Sequence, residues 1–418
     1  MTTVRLANLV QLNPPCRRFE ALDSDEPVSF LPMEGMWPDA LELSERIKDE
    51  VEVGYTRFEE GDLLLPKISP TFSHGRSAVA SGLRAGIGTG TTELHVLRPG
   101  PAVAARWLFY VTKSSPFLQE GGATQYGVAG QKRISVDWLK NYRVPHLPLA
   151  EQNRVVQYLD TETSRIDRLI DEETGLRQLV VDRRMAEIDR LIERGGAAEG
   201  LMPLASQWLD ALPPGWQWMP LKHCVDKVTV GIVVNPSHYY EDDGVPVLRG
   251  LNIRPGRVNQ DDLVFMSATS NDYHAKSRLD EGDVVVVRTG DAGSAAVVPE
   301  WAVGGNIVDL LLIRPGPRMR SKFLELLINS RLVQRQVVDG SVGALQSHFN
   351  TSALSNVMVV VPPLPEQDRV LRHLTSHLDR YDRLIAETDL AVARLREHRL
   401  ALITAAVGGG LDATGRAA

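Results

Sequence analysis

Pro362-Pro363-Leu364-Pro365-Glu366-Gln367-Asp368-Arg369 has a second copy in this 418-residue chain, and the repeat decides how the rest is read. The other copy is Pro145-His146-Leu147-Pro148-Leu149-Ala150-Glu151-Gln152-Asn153-Arg154. A shift of 215 positions lays Glu151 on Glu366, Gln152 on Gln367 and Arg154 on Arg369, and it also lays Asp167-Arg168-Leu169-Ile170 on Asp382-Arg383-Leu384-Ile385. Several matches in one register indicate duplication of half the chain. Each copy is a switch from strand to helix. Prolines favour extended backbone and lack an amide donor, so the strand before them stops. Acidic residues then fall in the first helical turn, where the helix dipole favours them.

Working outward from the joins, a long apolar series follows each. The first runs Val155, Leu159, Ile166, Leu169, Ile170, Leu176, Val180, Ile188, Leu191; the second runs Val370, Leu374, Leu378, Tyr381, Leu384, Ile385, Ala391, Leu395, Leu402, Ala406. Steps of three and four, or multiples of them, mark a coiled-coil seam. Each helix would be roughly 65 Å long at 1.5 Å per residue. A globule of this size offers no face that long, so the two helices are expected to pair, antiparallel because one globule separates them in sequence.

The regions before the joins also match each other. Arg57-Phe58-Glu59-Glu60-Gly61-Asp62-Leu63-Leu64-Leu65 returns as Arg278-Leu279-Asp280-Glu281-Gly282-Asp283-Val284-Val285-Val286. Leu97-Arg98-Pro99-Gly100 returns as Ile313-Arg314-Pro315-Gly316. A polar turn followed by a short apolar run reads as a buried strand. The expected fold is α+β: two similar mixed α/β domains, each followed by a long helix, the two helices forming an antiparallel coiled coil. The boundaries read as 1–145 and 197–362 for the domains, 146–196 and 363–408 for the helices, and 409–418 for a flexible tail; Gly195-Gly196-Ala197-Ala198-Glu199-Gly200 suits a joint.

Bulk composition narrows the class. The chain is 43% apolar and 24% charged, enough for packed cores without staples. Two cysteines, Cys16 and Cys224, supply neither a disulfide framework nor a four-ligand metal site. The lack of a long apolar run or signal-type leader leads to the expectation of a cytoplasmic protein with no membrane association. Net charge is −7, but residues 61–150 carry ten basic and four acidic groups while residues 1–60 carry six and thirteen. A local basic stretch suits phosphates, and the acidic remainder implies that a partner shares the grip.

Catalytic motifs dissolve on inspection. Asn13-Pro14-Pro15-Cys16 is similar to the Asn-Pro-Pro-aromatic motif of amino-methylating DNA methyltransferases, but a cysteine replaces the base-stacking aromatic. It reads as a turn. Gly86-Ile87-Gly88-Thr89-Gly90 precedes a strand-like run rather than the helix a dinucleotide site needs. Arg288-Thr289-Gly290-Asp291-Ala292-Gly293 lacks the Lys-Ser/Thr of a phosphate-binding loop. No catalytic residue, cofactor or metal is expected.

The Pro-Pro-Leu-Pro-Glu-Gln join, the long helix after it and the half-length duplication together resemble the specificity subunit of type I restriction-modification systems, over about residues 4–407. The first join departs from the pattern, with His146 and Ala150 where prolines would stand. The resemblance implies a non-catalytic DNA-binding subunit whose two domains read the halves of a split, asymmetric site. It also implies helices that dock two methyltransferase subunits, and a motor-nuclease subunit that joins them. Expected DNA contacts are loop residues suited to bases or phosphates: Lys67, Ser69, Thr71, His74, Arg76, Ser77, Gln125, Tyr126, Gln131, Lys132 and Arg133, then Arg249, Asn252, Arg254, Arg288, Thr289, Gln346, His348 and Asn350. The join residues Glu151, Gln152, Arg154, Glu366, Gln367 and Arg369 are the expected partner-binding set. Two other readings stand beside this one: a stand-alone methyltransferase or nuclease with recognition domains, and a coiled-coil adaptor joining protein-binding domains.

Overall fold

The computed structural model describes residues 2–69, 71–124, 132–196, 199–234, 236–339 and 349–410. The chain divides into two units, Met1–Gly175 with Thr388–Ala418, and Leu176–Glu387.

In the first unit the central sheet runs in the order Val10–Leu12, Leu94–Pro99, Leu63–Pro66, Ala78–Val79, all antiparallel. Leu63, Leu64 and Leu65 are all buried, on alternate faces. Leu63 and Leu65 join the core of Trp107, Leu108 and Phe109 on helix Ala105–Lys113, whereas Leu64 packs with Leu31 and Phe58 of a second sheet. Alternation of side chains along a strand, with both faces covered, is why this short run is apolar throughout. The second sheet has the order Ser44–Ile47, Pro27–Leu31, Ile87–Gly90, Thr56–Glu59, its middle pair parallel. The glycines of Ile87–Gly90 are packing glycines in a strand: a Cβ on Gly88 would lie 2.2 Å from the Phe58 ring.

The second unit repeats this plan. Its central sheet runs Val225–Val230, Leu310–Pro315, Val284–Val287, Ala295–Val297, again antiparallel. Val284 and Val286 face the helix-side core with Phe323 and Leu327, while Val285 and Val287 face a second cluster with Leu248 and Ile307. A three-stranded sheet, Val264–Met266, Val245–Leu248, Asn306–Ile307, contains the equivalent parallel pair. The repeated Arg-Pro-Gly has a structural meaning. Arg98 clamps the buried Asp62 through two bonds of 2.8 Å, and Arg314 clamps the buried Asp283 at 2.9 and 2.8 Å. Each carboxylate also accepts a backbone N–H, from Glu59 and Asp280 respectively, closing the turn before the strand.

The joins are built alike. Gln152 donates to the carbonyls of Ala102 and Leu147 at 3.0 and 2.9 Å and accepts from Ala104 N at 2.9 Å. Gln367 donates to Arg318 and Pro362 at 2.8 and 2.9 Å and accepts from Arg320 N at 2.8 Å. Each glutamine ties the first turn of a long helix to the loop before its own domain's helix layer.

The long helices span Leu149–Arg194 and Leu364–Val407. In the first unit Asp167 accepts from Arg399 at 2.8 and 3.2 Å, and Ile403 and Ala406 share a core with Val155 and Leu159. In the second unit Arg184 donates to Asp382 at 2.9 Å, and Val370 and Leu374 share a core with Ile188 and Leu191. Within each unit a rising number on one helix meets a falling number on the other, so the pairing is antiparallel. The seam is narrower than the apolar stripe, because one neighbour covers only one strip of a helix. Leu169, Leu176 and Leu384 are therefore exposed, as is Leu179 at 68%.

Candidate nucleic-acid interface

In the first unit a polar edge forms where the two central strands run out. Beyond Pro66 the chain stays in register: Lys67 N donates to Glu93 O at 2.8 Å. Segment 132–134 lies alongside, with Ile134 N on Lys67 O at 2.9 Å and Ser69 N on Lys132 O at 2.9 Å. Lys67, Glu93, Lys132 and Arg133 are thus gathered from three separate stretches. Arg133 grips Glu93 with both arms, one at 2.8 Å, and holds its carboxyl below the usual range. Lys67 donates to Thr92 O at 2.6 Å, and burial lowers its pKa despite Glu93 beside it.

Lys67, Glu93 and Arg133 rim a cavity of about 310 Å³ whose lining includes Asn13 and His95. Burial pushes His95 down to about 4, so the ring is neutral near pH 7. Asn13 Nδ2 lies 3.5 Å from His95 Nδ1, and Asn13 Oδ1 accepts from Val96 N at 2.9 Å. The Asn-Pro-Pro-Cys stretch is accordingly a turn, with Asn13 left-handed at φ 47° and Cys16 in the core.

The equivalent edge of the second unit carries different side chains. Arg288 follows the strand Val284–Val287 as Lys67 follows Leu63–Pro66, and Asp309 precedes Leu310–Pro315 as Glu93 precedes Leu94–Pro99. Arg288 donates to Asp309 at 3.0 Å and Thr289 Oγ1 donates to its other oxygen at 3.0 Å. Phe349 N reaches Arg288 O at 3.3 Å, the place Ile134 holds in the first unit. Asn350 caps helix Thr351–Asn356 through Ala353 N, as Ser135 caps Val136–Asn141. Both edges place a cation beside a carboxylate, a pair that offers donors for guanine and an acceptor for the cytosine amino group.

Between the central strands of the first unit lies a hairpin that holds Thr71, His74 and Arg76. Phe72, fully buried, roots it in the core, and Arg76 lies over the Trp37 ring at 5.1 Å. His74 is exposed. In the second unit Arg254 is exposed, and Arg249 is half-buried beside Tyr240 with its guanidinium on Asp262 O.

Four expected surface residues turn out to be internal. Ser77 is buried and shares a 2.9 Å bond with Thr112. Asn252 is buried, accepting from Arg249 N at 2.9 Å and donating to Asp261 O at 2.8 Å. Gln152 and Gln367 are spent inside the joins. Their amides and hydroxyl satisfy buried backbone or side-chain groups, which reserves them for the fold. At the same joins Asn153 and Arg154 are exposed, Glu151 is half-buried, and Arg369 pairs with Glu366 at 2.7 Å while donating to Gly195 O at 2.9 Å. Gln125, Tyr126, Gln131, Gln346 and His348 lie outside the described residues. The carboxylates Glu93 and Asp309 were missed by residue-type reasoning. Extending the Leu-Arg-Pro-Gly repeat backwards finds them, since each stands four residues before the repeated leucine or isoleucine.

Among the described residues no group of three or more His, Cys, Asp or Glu side chains could hold a metal, and no helix is long and apolar enough to cross a membrane.

No family model matches the chain. It is 32% identical over 207 residues to the specificity subunit of the type I restriction enzyme EcoAI from Escherichia coli, a stretch covering 49% of this chain and 34% of that protein. It is 23% identical over 337 residues to the EcoKI specificity subunit of Escherichia coli K12, covering 77% and 69%. The chain thus spans about a third of the length of the first of these relatives. A chain solved in a study of complex assembly and conformational transition of the type I restriction-modification system matches 98% of this one and 97% of itself, with a TM-score of 0.72 at 18% identity. That last likeness speaks for the fold alone. Together they bear out the resemblance read from the joins.

Proposed function

We propose that this chain, a relative of type I restriction specificity subunits, recognises DNA, each domain reading one half of a split site and the paired helices serving as the spacer between them. The observation that carries this is the conserved scaffold with altered edges. One sheet order and one set of clamps occur twice, yet the polar edge is Lys67-Glu93-Arg133 in one unit and Arg288-Thr289-Asp309 in the other. A duplication that keeps its framework and changes its edge fits two readers of different sequence. Exposed Lys132, His74 and Arg254, with half-buried Arg76, suit phosphates and groove edges around them.

Leu169, Leu176, Leu179 and Leu384 remain exposed along the helices, and exposed apolar stripes favour partners. The methyltransferase subunits are the partners proposed here, with Glu151, Arg154, Glu366 and Arg369 at the two joins as flanking contacts. A motor-nuclease subunit then completes the assembly. Catalysis, methyl donor and nucleotide belong to those partners on this reading, and the complex works in the cytoplasm.

Selection from a random-sequence duplex pool by the purified full chain, alone and with its methyltransferase partner, tests the proposal. The expected product is a motif of two unlike halves separated by a gap without sequence preference. A single uninterrupted motif, or methyl transfer by the chain alone, would overturn it in favour of a stand-alone enzyme. Enrichment of no motif, with the methyltransferase still bound, would favour the adaptor reading.

A further inference from the structure

In each unit a left-handed glycine stands in the hairpin between the central strands, and a helix holds its carbonyl. Gly75 has φ 62° and Gly293 has φ 93°. Their places are equivalent: each stands four residues before the strand position, Val79 or Val297, that faces Leu63 or Val284. The Gly75 carbonyl accepts from the ammonium of Lys113, the last residue of helix Ala105–Lys113. The Gly293 carbonyl accepts from Gln334 Nε2 at 3.0 Å, on the following helix Arg331–Asp339. A Cβ on Gly293 would lie 2.7 Å from the Gln334 side chain, so only glycine permits this approach.

Lys113 is an unusual choice for such a post. A lysine that only filled space would lay its stem on the core and send its ammonium to water. Here the residue is 7% exposed and the charge turns inward, onto a hairpin carbonyl and over the Phe109 ring at 4.8 Å. Burial pushes this amine down to about 7, so the charged form is disfavoured at this post, and the hydrogen bond it makes there goes to the hairpin carbonyl. Each hairpin has a second tether two residues on. Ser77 shares its hydroxyl bond with Thr112, and Asn329 brackets Ala295 by accepting from its N–H at 3.0 Å and donating to its carbonyl at 2.8 Å. The held loops carry Thr71, His74 and Arg76 in one unit and follow directly on Arg288 and Thr289 in the other.

We infer that Lys113 and Gln334 are positioning residues for DNA reading: each pins its hairpin at a glycine carbonyl and so sets which bases that hairpin reaches. This rests on the function proposed above. The two posts differ chemically, so each can be removed without touching the other. Lys113→Met keeps the stem and deletes the donor; Gln334→Leu copies Leu118, which stands against Gly75 in the first unit. The experiment is competitive selection from a random duplex pool with the full chain bound to its methyltransferase partner, wild type against each variant, with thermal melting alongside. Lys113→Met is expected to lose about tenfold or more of its preference at one half-site, the scale of one lost base contact, with sequence-independent affinity retained. Gln334→Leu is expected to lose a similar preference at the other half-site only. Ser77→Ala, which removes the second tether and leaves no larger void than an oxygen, is expected to weaken the same half-site as Lys113→Met. It decides the matter by the same criterion if the methionine variant does not fold. Folded variants that keep full preference at both halves, or lose it evenly over both, would overturn the inference and leave the DNA reading standing. A wild type that selects nothing would overturn both.

Discussion

Replacing Gln367 by methionine tests whether the join is a structural lock. Methionine matches glutamine in length and volume but can neither donate nor accept as the amide does. Three contacts disappear together: the bonds to Arg318 O at 2.8 Å and Pro362 O at 2.9 Å, and the acceptor for Arg320 N at 2.8 Å. Gln367 is fully buried, so water does not replace them. A buried backbone group left without a partner costs about 1–3 kcal/mol. Shared relaxation makes three such losses less than additive, which puts the total at about 3 kcal/mol. For a unit of the size of Leu176–Glu387 this corresponds to a fall in melting temperature of about 6–12 °C. Differential scanning calorimetry on the full chain would show it. The transition of this unit should move down while that of the other stays in place, and Gln152→Met should reverse the pattern. A shift below about 2 °C in a folded Gln367→Met protein would show that the glutamine merely fills space, and the account of the joins would fail.

Other outcomes follow from the same geometry. His95 is held neutral by burial, with its pKa down at about 4, so the folded state loses stability as pH falls from 6.5 toward 4, where the unfolded chain takes a proton that the folded one refuses. Urea midpoints measured from pH 7 to pH 4 should fall by less in His95→Leu, the residue that the second unit has at Leu311, and parallel curves for variant and wild type would refute this. Arg288→Ala should flatten base preference at one half-site, whereas exposed Lys132→Ala should weaken binding evenly and lower the salt slope by about one; binding isotherms at several salt concentrations separate the two. Leu179→Ser should leave the melting curve of the isolated chain within about 0.5 kcal/mol of wild type, as surface changes do, yet reduce co-purification with the methyltransferase; undiminished co-purification would remove that residue from the docking stripe.

Residue spacing alone disclosed the duplication, the strand-to-helix joins and the buried strands at Leu63–Pro66 and Val284–Val287, because periodicity and proline chemistry act locally along a chain. It also disclosed the antiparallel pairing, since two long apolar stripes with a globule between them leave few other ways to be covered. What each polar residue does was decided by folding. Ser77, Asn252, Gln152 and Gln367 have the composition of surface contacts, but their neighbours lie 35, 9, 50 and 49 residues away, and only those neighbours make them internal. Glu93 and Arg133 meet across 40 residues, and Lys113 reaches Gly75 across 38. Hydrogen bonds between such distant partners leave no periodic trace, so the edge and the posts beneath it emerge only when the sheet order brings them together.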